Sequence, residues 1–216
     1  QSPGKELSCS DALAVVAQAT DTGHMGIAIR LINSHGSSLL QPLSAHVSGL
    51  DRRVVHLLVA HLAGGMDSSQ LCELLLKAAK ERQHGACAAM LEAAAGQGLQ
   101  LTSQHCHDVF RVFVWADFPA RLAELLLAAS EATSPSALTQ MALKALLHDR
   151  AALLGPLLAA GAPLDVQLVL GAVDRLACSC LAFLLRRGPL PKDSTTPFRV
   201  FGSAALLYSC PVLRIL

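Results

Sequence analysis

Six times the chain runs a leucine- and alanine-rich segment into a small residue: Gly36, Gly65, Gly96, Ser130, Gly161 and Gly188, spaced 27 to 34 residues apart. In "LLAAGAPLD", Gly161 fits just past a helix end, where left-handed backbone carries no steric cost for glycine. Pro163 lacks an N–H and cannot continue a helix. A unit of about 30 residues is too small to be stable alone. Repeated, it predicts a solenoid in which each unit buries its apolar face against the next.

Each interval holds another helical segment before the capped one. "SALTQMALKALL" precedes "RAALLGPLLAA", and its Leu138, Met141, Ala142, Ala145 and Leu146 fall on one face at helical spacing. "DALAVVAQATDTG" precedes "HMGIAIRLINSHG", "SLLQPLSAHVSGL" precedes "DRRVVHLLVAHLAG", and "QLCELLLKAAKERQH" precedes "GACAAMLEAAAG". "CHDVFRVFVWAD" precedes "FPARLAELLLAAS", and "DVQLVLGAVD" precedes "RLACSCLAFLLRRG". Composition agrees: 41 Leu and 35 Ala among 216 residues favour helix, and one Trp with one Tyr argues against a β-sandwich or barrel.

At these residues the chain resembles the ankyrin-repeat family. "GAPLD" is similar to the turn after that family's second helix, and "LHDRAALLGPLLAAGA" has its second-helix form. Thr196, Pro197 and Phe198 look like the first three residues of the family's Thr-Pro-Leu-His start, with Arg199 where His is usual. The other units lack that start. Armadillo and HEAT units are longer, and the tetratricopeptide Trp/Gly/Tyr pattern is missing. The expectation is an all-α, ankyrin-like solenoid of about six to seven stacked helix pairs with short turns. Residues 1–216 read as one such domain, cut from a larger protein. The apolar end "SAALLYSCPVLRIL" marks where the chain continues or docks on a partner.

No catalytic motif is present: no phosphate loop, no His-Glu-x-x-His, no Gly-x-Ser-x-Gly. His84, Cys87, His105, Cys106 and His107 are the best metal candidates, but their spacing fits no zinc finger, and three adjacent residues cannot all point one way on a helix. Cys178 and Cys180 are two apart and do not face each other. Cys106 beside His107 and Asp108 is adjacency without an assembled nucleophile. No enzyme activity, cofactor or metal is expected. An odd seven cysteines within apolar runs read as buried free thiols of a reducing compartment, hence the cytoplasm or nucleus. No apolar run reaches membrane-span length.

Function is then expected on the surface, where first helices of a solenoid line a concave groove. The first-helix residues not needed for packing are His107, Asp108, Arg111 and Trp115, with Gln140 and Lys144 in the next unit and Glu73, Lys77, Lys80 and Gln167 elsewhere. Trp115 is the candidate anchor, within the most aromatic run, "VFRVFVW". The polar loop "EATSPSA" is expected to reach over the groove edge. Residues 1–143 carry nine basic and twelve acidic side chains and residues 144–216 eight and four. That mixture disfavours nucleic acid and favours a protein or peptide partner. The alternatives are an RNA-binding helical repeat and a regulatory or targeting domain of a larger enzyme. Arg186 and Arg187 suit a helix carboxyl end, whereas Arg52 and Arg53 at a helix start lack such a reason.

Overall fold

A computed structural model describes residues 7–131 and 133–187. They form twelve α-helices: α1 (Cys9–Asp21), α2 (Met25–His35), α3 (Leu40–His46), α4 (Arg52–Leu62), α5 (Ser68–Lys80), α6 (His84–Gln97), α7 (Ser103–Trp115), α8 (Ala120–Ala128), α9 (Pro135–Leu147), α10 (Ala151–Ala159), α11 (Val166–Asp174) and α12 (Cys178–Arg187). Among the described residues the only β pairing is a single parallel bridge between Leu101 and Ser130. The all-helical, paired architecture expected from the sequence is present, with six pairs in the expected segments. The Gly188 cap and the "STTPFRVFGSAALL" unit lie outside the described residues.

The chain divides into two compact units. The first holds the chain up to Val109 with Ala128–Glu131, and the second holds Phe110–Leu127 with the chain after Glu131. In the first unit α1 packs on α2 and α5 on α6. First helices also touch in series, α1 to α3 to α5, and second helices likewise, α2 to α4 to α6. In the second unit α9 packs on α10 and α11 on α12, while α9 meets α11 and α10 meets α12. Within each unit, helices thus contact both a neighbour in the chain and a counterpart in the next pair, which is the contact pattern of stacked helical repeats. Small residues permit the close approach. A Cβ on Gly171 of α11 would sit 3.5 Å from Leu143 Cδ2 and Leu146 Cδ1 of α9.

The recurring cap is not where glycine suggests. Gly65 closes a 3-10 turn, Ala63–Gly65, without left-handed backbone, because α4 runs on into that turn. Gly96 lies inside α6, and Gly98, at φ +70°, performs the cap two residues later. Gly36 and Gly161 do have positive φ, as expected. The more regular signature lies inside the pairs, at Gly23, Arg82, Asp117, Asp149 and Leu176, all left-handed. After each, the next N–H closes back on a carbonyl five residues earlier: His24 to Ala19, Gln83 to Ala78, Phe118 to Phe113, Arg150 to Ala145 and Ala177 to Ala172, at 2.7–3.0 Å. These are Schellman closures, which satisfy orphan helix carbonyls and reverse the chain within three residues. The same first helices are capped at their other ends by Ser8, Asp67, Thr102, Ser134 and Asp165, whose side chains accept backbone N–H groups.

Arg52 also proves to have a structural reason. Asp51 caps α4 by accepting from Arg53 N, and Arg52 Nη2 donates to both carboxylate oxygens of Glu92 on α6, at 3.0 and 2.7 Å. The aromatic run of α7 divides by helical period. Phe110 and Phe113 are fully buried, and Phe113 stacks on Phe118 with centroids 4.4 Å apart. Each fully buried ring contributes about 1.5–3 kcal/mol over an exposed one. Only Trp115 of the run's aromatics faces solvent, so the run does not act as one contact surface.

Candidate functional site

The exposed Trp115 sits at the last residue of α7. Phe110, Phe113 and Val114 define the buried stripe of this helix, and Arg111 and Trp115, four apart, share the opposite one. Trp115 keeps 63% of its surface in solvent, which excludes a core-filling role. Its backbone is held firmly. Arg150 Nε donates to the Val114 carbonyl at 3.2 Å, and Arg150 Nη1 pairs with Asp117 Oδ1 at 2.5 Å. One guanidinium from the turn after α9 therefore fixes both sides of the end of α7. On α9, Gln140 is exposed and Lys144 half-buried, again four apart on one face. Among the described residues, the side chains of Arg111, Gln140 and Lys144 have no hydrogen-bond or ion-pair partner.

His107 and Asp108 belong to the first unit and are half-buried. Gln104 Nε2 donates to Asp108 Oδ2 at 3.0 Å, and His107 Nδ1 lies 4.0 Å from Asp108 Oδ1. These contacts tie up the first two turns of α7. The "EATSPSA" segment is engaged as well: Glu131 N donates to the Leu101 carbonyl at 2.8 Å, and Ser134 becomes the cap of α9.

The reactive groups are inward. Cys72, Cys87, Cys106 and Cys180 are buried, as the apolar setting of the cysteines implied, and Cys9 and Cys178 are half-buried; Cys210 lies outside the described residues. Burial, with the nearby Asp108 charge, pushes the Cys72 thiol up to about 11. Burial pushes Cys87 up to about 12, and burial together with Asp149 does the same to Cys180. Such thiols are protonated at neutral pH and poor nucleophiles. In the "HCH" run the three side chains part company. His105 Nδ1 is buried without a hydrogen-bond partner, Cys106 is in the core, and His107 meets Asp108. Among the described residues no three His, Cys, Asp or Glu side chains converge to hold a metal ion, and no helix is long and apolar enough to cross a membrane.

Two of the open recesses on the surface exceed 400 Å³. In the first unit α3 is only seven residues long, and a recess of about 460 Å³ opens beside α5, edged by Ser37, Gln41, Ser44, Gln70 and Glu73. In the second unit a recess of about 520 Å³ lies over Ala152, Gly155 and Pro156, walled by Glu124, Leu127, Phe183 and Arg187. Neither gathers a set of groups suited to acid–base or nucleophilic chemistry. Comparison with known protein families, with curated proteins and with solved structures finds no match to the chain.

Two further large apolar residues of the second unit, which the sequence did not single out, are exposed as Trp115 is. Leu147, the last residue of α9, is 57% exposed, and Leu176, in the turn after α11, is 47% exposed. A leucine in a chain this rich in leucine reads as core. Aligned on the left-handed residues Asp117, Asp149 and Leu176, Trp115 and Leu147 occupy the same place, two residues earlier, where the third turn has the exposed Asp174; Leu176 is the left-handed residue itself.

Proposed function

We propose that this chain is a non-enzymatic protein-interaction module of the ankyrin-like kind, acting in the cytoplasm or nucleus. Its partner is a protein or peptide held on the first-helix side of the second unit, by Trp115 with Arg111, Gln140 and Lys144. The observation that carries this function is Trp115. It is the chain's only Trp, it is mostly in solvent, and the Arg150 contacts fix the backbone around it. Rigid aromatic side chains lose little entropy on contact and dominate binding energy at interfaces. Arg111 and Lys144 carry charges with no ion-pair partner among the described residues, so engaging them breaks none of the ion pairs described. Buried, protonated thiols suit a reducing compartment and offer no nucleophile.

Affinity capture with wild-type protein, with Trp115→Ala and with Arg111→Glu plus Lys144→Glu tests this function. One stoichiometric protein lost with both variants, while circular dichroism stays unchanged, is the expected result. Loss only on reversing Arg186 and Arg187 would move the site to the basic carboxyl edge. A nucleic-acid partner whose retention falls steeply with salt would replace the protein partner.

A further inference from the structure

We infer that the successive turns inside the helix pairs of the second unit form one docking edge for an acidic amphipathic segment of a partner protein. This rests on the interaction function proposed above and names the chemistry of the partner.

The turns are linked in order by the protein's own contacts. Asp117, after α7, pairs with Arg150, after α9. Asp149, after α9, accepts from the backbone N–H groups of Ser179 and Cys180, at the start of α12 and just past the turn after α11. Large apolar side chains are exposed at or beside each turn: Trp115 and Leu147 as the last residues of α7 and α9, and Leu176 two residues past the end of α11, at the left-handed position. Leu176 does so from left-handed backbone at φ +55°, an unfavourable conformation for a bulky residue, although its side chain packs only in part.

The charges sort as regularly. Two carboxylates of this edge are consumed internally, Asp117 by Arg150 and Asp149 by the α12 amides. Arg150 is used there too, whereas Arg111, Lys144 and Arg175 form no ion pair among the described residues. Arg111 lies one turn before Trp115 on the same face and Lys144 one turn before Leu147. Arg175 adjoins Leu176, with Nη1 bonded only to the Gly171 carbonyl. Asp174, exposed and unpaired among the described residues, weakens the third position, so Arg111 and Lys144 carry most of the selectivity. Adjacent packed helices lie about 8–10 Å apart. Seven residues of an α-helix rise about 10.5 Å. A helix with apolar residues at i, i+7 and i+14 therefore repeats at close to the spacing of adjacent packed helices, and carboxylates beside those residues oppose the charges of Arg111 and Lys144.

The probe is a synthetic 20-residue helical peptide with Leu at every seventh position and Glu on the flanks. One control peptide replaces Glu by Lys, and another replaces Leu by Ser. The readout is emission from Trp115, which has no competing Trp. The Leu/Glu peptide should shift the emission to the blue, saturably, and bind at least about tenfold more tightly than the Leu/Lys peptide at low salt. Leu147→Ser with Leu176→Ser should weaken it by about tenfold. Arg111→Glu with Lys144→Glu should reverse the charge preference. Equal or tighter binding of the Leu/Lys or the Ser/Glu peptide overturns the inference. So does a concentration-dependent blue shift of the protein alone that Leu147→Ser with Leu176→Ser abolishes, which would assign the edge to a second copy of the chain. If Trp115→Ala abolishes capture of a cellular partner while the Leu147 and Leu176 variants bind the peptide like wild type, the interaction function stands and the extended edge falls.

Discussion

Replacing Asp149 removes two contributions at once, and three substitutions separate them. Its carboxylate caps α12 across the stack, accepting from Cys180 N at 2.9 Å and Ser179 N at 3.2 Å. Loss of such a cap costs about 0.5–2 kcal/mol, and the anion at a helix start adds about 0.3–1 kcal/mol. Its backbone is left-handed at φ +50°, which costs an L-residue about 1–2 kcal/mol. Asp149→Ala loses the cap and keeps the strain, so it should destabilise by about 1.5–2.5 kcal/mol. Asp149→Gly loses the cap and relieves the strain, so it should be about 1 kcal/mol less harmful than Ala. Asp149→Asn keeps an acceptor oxygen and loses the charge, for a cost of about 0.5–1 kcal/mol. The sign of the pH dependence follows from the carboxyl group. Partial burial pushes it up, but hydrogen bonds from Cys180 and Ser179 outweigh burial and hold it below the ordinary carboxylate range. The stabilisation is therefore fully present above the unfolded value near pH 3.9 and is lost as pH falls through the lower folded value. Urea unfolding gives the energies, and amide exchange at Ser179 and Cys180 gives the local effect. Equal stability of the Ala and wild-type proteins, with unchanged protection of those amides, would refute the cap.

Further predictions follow from burial and backbone geometry. Arg82→Gly should stabilise by about 0.5–1 kcal/mol in urea unfolding, because Arg82 is exposed and left-handed, whereas Arg82→Val should destabilise. Phe113→Ala should cost about 3–5 kcal/mol, while Trp115→Ala should stay within about 0.5 kcal/mol of wild type. With Cys9, Cys178 and Cys210 changed to Ser, maleimide labelling at pH 8 should be slow in the native protein and fast in urea, since the remaining thiols are buried.

Helix pairing was legible in the sequence because leucine and alanine recur at helical spacing in segments that end at small residues. Cap positions were only partly legible. Gly96 and Gly98 are equally plausible caps on composition, and tertiary fit selects Gly98. The repeating left-handed turns were invisible, because Arg82, Asp117, Asp149 and Leu176 share a backbone conformation and no side-chain chemistry. Around the candidate site, the split of Phe110 and Phe113 from Arg111 and Trp115 follows from a 3.6-residue period and was readable. The exposure of Leu147 was not, because pairing of the neighbouring turns by Arg150 and Asp149 determines what stays outside.

Photo-crosslinking from the edge itself tests most directly the claim that the second unit holds a partner there. A photoreactive benzoylphenylalanine in place of Trp115 is compared with the same residue in place of Arg121, an exposed position on α8 paired with Glu124. The expected result is one adduct, from position 115, that excess unmodified wild-type protein suppresses. An adduct from position 121 alone would contradict the account and place the interface on the second helices.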